Sequence, residues 1–157
     1  EYWTDVICSE EMSGAEVAQG FFFSPEMKSR GLSDYEFVEI LYNVMMDRNS
    51  DWDGASFWLS YMDAGIEREA VFKQFVDSAE YNNICASYGI DRGNVTVAGK
   101  NRNPGLTLFM MRLYTKAMDR EYDSDGMDYW CNQILDGNYK VMDVAGQQFF
   151  NSKEFIN

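Results

Sequence analysis

The chain has 157 residues, 26 acidic and 13 basic side chains, no histidine and a formal charge of −13. The acidity argues against nucleic acid and against anionic membranes, because no basic surface exists to release counterions from phosphates. The missing imidazole excludes Ser-His-Asp and Cys-His catalysis and every histidine metal site, and three cysteines are too few for a four-cysteine zinc site.

In chain order, Ser13-Gly14-Ala15-Glu16 reads as a capping box that opens a helix running to Phe23. Ser24-Pro25-Glu26 opens a short one, with serine on the exposed amides and proline in the first turn. Ser33-Asp34-Tyr35-Glu36 is a second capping box. The helix behind it carries Phe37, Ile40, Leu41, Val44 and Met45 on one stripe. A further helix starts near Asp51–Gly54, is expected to bury Phe57, Trp58, Tyr61 and Met62, and ends at Gly65. The next carries Val71, Phe72, Phe75 and Val76, and Ser78 starts another short one. Residues 91–106 hold Gly93, Gly99, Pro104 and Gly105 without helical period, and read as a linker or a long packed loop. Val95-Thr96-Val97 within it is the strongest strand signal in the chain, and Asn94-Val95-Thr96 has the form of a glycosylation sequon.

The chain repeats itself. Tyr42–Arg48 recurs as Tyr114–Arg120, and Asp51–Gly54 with Phe57-Trp58 recurs as Asp123–Gly126 with Tyr129-Trp130, all 72 positions on. Phe75–Ser78 with Glu80-Tyr81 recurs at Phe149–Ser152 with Glu154-Phe155. Tyr2-Trp3 and Phe21–Ser24 match the later parts of these copies. The expected organisation is therefore a C-terminal half repeat at 1–33, a full repeat at 34–90, a linker at 91–106 and a full repeat at 107–157. The expected fold is all-α, with tandem helix–loop–helix–helix units packed into one compact array. The chain opens Glu1-Tyr2-Trp3 without methionine, which reads as a processed or excised piece of a parent holding the missing half repeat. No apolar run approaches the roughly 20 residues of a membrane helix. Cys8, Cys85 and Cys131 fit buried thiols, or one disulfide with one free thiol.

The pattern Leu41-Tyr42, Asp47-Arg48, Asp51, Gly54, Phe57-Trp58, Phe75 and Ser78-Ala79-Glu80-Tyr81 resembles the repeat called domain of unknown function 4214. The second copy, from Leu113-Tyr114 through Asp119-Arg120, Asp123, Gly126 and Tyr129-Trp130 to Phe149 and Ser152–Phe155, fits equally. The resemblance implies an all-helical repeat of secreted or cell-surface bacterial proteins with no established enzyme activity.

The acid-rich loops carry the sharpest chemical signal. Alternating oxygen ligands ahead of Gly54 and Gly126 have the look of a calcium loop, with Asp51, Asp53, Asp123 and Asp125 as metal candidates. An EF-hand fails, because its twelfth position, where glutamate is needed, is Ser60 in one copy and Asn132 in the other. The competing reading makes Asp51 and Asp123 helix caps. Trp58 and Trp130 are expected to be core residues, whereas Trp52, in a polar loop, is the tryptophan to expect in a binding surface. The ten methionines fit core filling. Arg92, Lys100 and Arg102 form a locally basic stretch where an acidic neighbour would dock. No carboxylate pair stands out as catalytic, so neither an enzyme nor a cofactor is expected. The leading function is an extracellular or cell-surface module making contacts with other segments of its parent or with another surface protein. The alternative is a glycan-binding module, with calcium assisting its loop.

Overall fold

A computed structural model of the chain describes residues 12–141. The half-repeat residues Tyr2-Trp3, the thiol Cys8 and the repeat positions Phe149–Phe155 lie outside them. The described residues form α-helices and contain no strand. They are α1 (Gly14–Phe22), α2 (Pro25–Ser29), α3 (Asp34–Met46), α4 (Trp52–Asp63), α5 (Arg68–Val76), α6 (Ala79–Ser87), α7 (Pro104–Arg112) and α8 (Ser124–Leu135). A 3-10 turn at Gly99–Asn101 precedes α7, and a π-helical turn at Leu113–Ala117 continues it. Val95–Val97, the expected strand signal, is irregular, and the Val95 amide donates to Asn94 Oδ1 at 2.9 Å.

The helix starts follow from their caps. Both capping boxes form: the Ser13 and Ser33 hydroxyls accept from the amides of Glu16 and Glu36, whose carboxylates reach back to the serine amides. Those amide bonds hold both carboxyls below the usual range. Ser24 and Ser78 accept from the amides of Met27 and Tyr81 at 3.1 and 3.2 Å. Asn103 does the same for Leu106 at 3.0 Å, with Pro104 in the first turn. Helix α7 therefore begins at Pro104.

The described residues form two compact units, one of residues 12–63 with Val71–Thr96, the other of Ala64–Ala70 with residues 97–141. The core of the first unit is aromatic. Phe22 meets Phe37 and Phe72 at ring distances of 6.0 and 5.7 Å, and Phe75 meets Tyr42 and Trp58 at 5.0 and 5.6 Å. Val71, Phe72, Phe75 and Val76 are all buried, as their spacing requires. On α3 the buried stripe is Phe37, Val38, Leu41, Tyr42 and Met45. Val44, expected inside, is exposed, because the buried face centres on Leu41 and leaves Val44 at its margin. The second unit packs Met110, Tyr114, Met127 and Cys131 together. Met27, Met45 and Met62 are also buried, so methionine fills core space in both units. Cys85 and Cys131 are free, buried thiols, and burial pushes both up in pKa.

Residues 91–106 make hydrogen bonds within each unit. In the first unit, Asp91 and Arg92 carbonyls accept from the amides of Gly14 and Ala15 at 2.9 and 2.8 Å, satisfying the exposed start of α1. Gly93 has φ +63°, and a Cβ there would meet Ser13 Cβ at 2.1 Å. In the second unit, the 3-10 turn lies directly on α8: the Lys100 amide donates to Asp128 Oδ1 at 2.8 Å, and Thr107 Oγ1 donates to the Lys100 carbonyl at 2.6 Å.

Candidate functional site

Each repeat closes its first helix with an aspartate in the left-handed region, Asp47 at φ 52° and Asp119 at φ 50°. Aspartate is among the few side chains that tolerate this conformation. The next amide then turns back, Arg48 N–H onto the Tyr42 carbonyl at 3.3 Å and Arg120 N–H onto the Tyr114 carbonyl at 3.2 Å. The arginine head lies against the ring of the same tyrosine, at 5.0 Å in the first copy and 5.4 Å in the second. Arg48 also grips Glu80 with two bonds, at 2.9 and 3.0 Å, tying α6 to the end of α3. This grip holds the Glu80 carboxyl below its usual range.

The sign of that shift fixes a pH dependence. A carboxyl lowered in the folded state stabilises it above the ordinary glutamate range, and the contribution is lost as pH falls through the lowered value. Arg48→Met is therefore expected to flatten the melting temperature's fall below about pH 4.5. The effect is small, under about 1 kcal/mol, because both side chains are nearly half exposed.

The acids of the loops are helix caps. Asp51 Oδ1 accepts from the Gly54 amide at 3.1 Å, and Asp123 Oδ2 from the Gly126 amide at 3.0 Å. The glycines are dictated by crowding: a Cβ at Gly54 would sit 2.4 Å from both Asp51 Oδ1 and the Tyr42 hydroxyl. Asp53 and Asp125 are exposed in the first turns that follow. Among the described residues no three carboxylates or thiols converge as a metal cage. Millimolar calcium is expected to raise the melting temperature no more than matched magnesium does, as calorimetry with both ions will show.

The aromatic pairs are placed differently from expectation. Trp58 and Trp130 are half-buried rather than fully buried, and Phe57 and Tyr129 face water, 47% and 50% exposed. Helical period explains this: Ala55, Trp58 and Met62 share the inward stripe of α4, and Phe57 falls one step outside it. Burial pushes the Tyr42 hydroxyl beside Trp58 up in pKa. Trp58→Ala is accordingly expected to cost about 2–3 kcal/mol in chemical denaturation, below the range of a fully buried ring. Trp52 is 83% exposed at the start of α4, where the polar loop places it.

The three basic candidates fall in two places. Arg92, in the first unit, is half-buried and donates through Nε to the Gly93 carbonyl at 3.2 Å. In the second unit, Lys100 pairs with Glu67 at 3.4 Å and also meets the Ser124 hydroxyl. Arg102 donates to Asn132 and Asp136 at 2.8 and 2.9 Å. Lys100 and Arg102 therefore meet acidic partners within their own unit.

Beside Lys100 opens a groove of about 760 Å³. Its apolar lining is Leu108 and Met111 of α7 with Tyr122, and its charged lining includes Arg112, Lys116 and Glu121.

The family model for the domain of unknown function DUF4214 matches residues 18–85 and 99–157. The chain belongs to this family. No curated protein and no solved structure matches it. The residues that carry the DUF4214 pattern here are those that end α3, cap α4 and fill the core: the signature describes a fold. The groove is absent from that pattern and was missed in the sequence. A signal for it did exist. At the positions of Arg112 and Lys116 the first copy has Ile40 and Val44, 72 residues earlier, so the two DUF4214 copies diverge where the groove lies.

Proposed function

We propose that the chain is a non-catalytic interaction module of a secreted or surface-attached bacterial protein, making protein contacts within a surface assembly. The observation that carries this reading is the matched outward ring. Phe57 and Tyr129 occupy the same position in their copies and are equally exposed. Aromatic area held in water at one repeated position is what a partner's interface core covers, and such rings dominate binding energy. Trp52 is a further exposed aromatic ring on α4. The charge of −13 repels a second copy at low salt, so the partner is another segment of the parent or a different surface protein. No described helix is long and apolar enough to cross a membrane.

A photoreactive aromatic side chain at position 57, activated on cells that make the protein, tests the reading. The expected product is a discrete cross-link to protein, reduced when Trp52 is also changed to Ser. A stable, salt-independent dimer in light scattering, or no cross-link at all, would count against it. A second reading, glycan binding, rests on the Trp52 ring, whose open face suits a pyranose. Saturable binding in a neutral-glycan titration, lost in Trp52→Ala, would favour it.

A further inference from the structure

We propose that the groove of the second unit binds a sugar acid, a pyranose that carries a carboxylate. The cations come first. Among the described residues, the Arg112 and Lys116 side chains meet no acid and no hydrogen-bond acceptor, in a chain with twice as many acids as bases. Two unpaired cations side by side in a concavity attract an anion. The repeat does not need them to fold, since the first copy has Ile40 and Val44 in their place. The backbone differs as well. Helix α3 stays α-helical to Met46, whereas α7 passes into the π-helical turn Leu113–Ala117, which carries Lys116. Such turns recur at functional sites because they re-aim side chains at little cost to the helix.

The rest of the lining selects among anions. Glu121 and Glu67 also line the groove, and a carboxylate can only accept hydrogen bonds. An acidic peptide would bring further carboxylates against them, and a bare inorganic anion brings no donors. A sugar acid brings one carboxylate for Arg112 and Lys116 and several hydroxyls for Glu121. Its apolar C–H face suits the half-buried Tyr122 ring and the Leu108 and Met111 side chains that line the groove with it. At about 760 Å³ the space is in the range of small-ligand sites and exceeds a free amino acid. None of these residues belongs to the α4 surface, so the two readings fail separately.

The test is a titration of the isotope-labelled full chain with a trisaccharide that carries a single terminal glucuronate, at physiological salt, read by amide chemical shifts. Saturable shifts are expected at residues 112–116 and 121–124. Arg112→Ile and Lys116→Val, which install the first copy's residues, should each weaken binding at least tenfold with the melting temperature unchanged. Arg112→Gln and Lys116→Gln repeat the test should either apolar variant fold poorly. Neutral maltotriose should bind at least tenfold more weakly, and Trp52→Ala should have no effect. Absence of saturable shifts, full affinity in the charge-free variants, or equal binding of triglutamate would overturn the proposal.

Discussion

Phe72→Ala is expected to cost about 3–5 kcal/mol, the range for a fully buried aromatic ring. Phe72 has no exposed surface, and its ring meets Phe22 at 5.7 Å and Phe23 at 5.4 Å. Phe22 is the last residue of α1 and Phe23 caps it. Truncation therefore removes the contacts that hold α1 against α5, and leaves a cavity that rigid rings cannot refill. Chemical denaturation monitored by far-ultraviolet circular dichroism measures the loss. If the cost is under about 1 kcal/mol, α1 does not depend on this contact.

Gly99→Ala is the second large effect, expected at about 1–3 kcal/mol. Its φ is ordinary, so the reason is space alone. A Cβ at this position would sit 2.2 Å from the Asp128 carbonyl oxygen, and 2.9 Å from the Asn132 side chain. The first neighbour is backbone of α8 and cannot swing away. The 3-10 turn must lift, which weakens the Lys100 amide bond to Asp128 and the Thr107 bond behind it. Gly105→Ala is the control, because a Cβ there meets only Asn103 Oδ1 at 3.5 Å. It is expected to be neutral or slightly stabilising. Equal melting temperatures for the two variants would show that the turn does not bear on α8.

Each repeat's local signals are short-range: a serine or aspartate three residues ahead of the amide it caps, a glycine after a helix, an apolar stripe at helical spacing. Ser13, Ser33, Ser24, Ser78, Asp51 and Asp123 all act within one turn of chain, which is why their roles are readable without a structure. The all-α class and the family follow from the same signals, since the repeated residues are the ones that build the helix ends. What the sequence by itself could not settle depends on partners far along the chain. The burial of Trp58 depends on Phe75, the pairing of Arg102 on Asp136, and the role of residues 91–93 on the start of α1. The groove beside Arg112 exists only because the 3-10 turn, α7 and the residues before α8 come together in space. Tertiary packing alone decides such contacts, because their energy comes from groups brought together by the fold and not from neighbours in sequence.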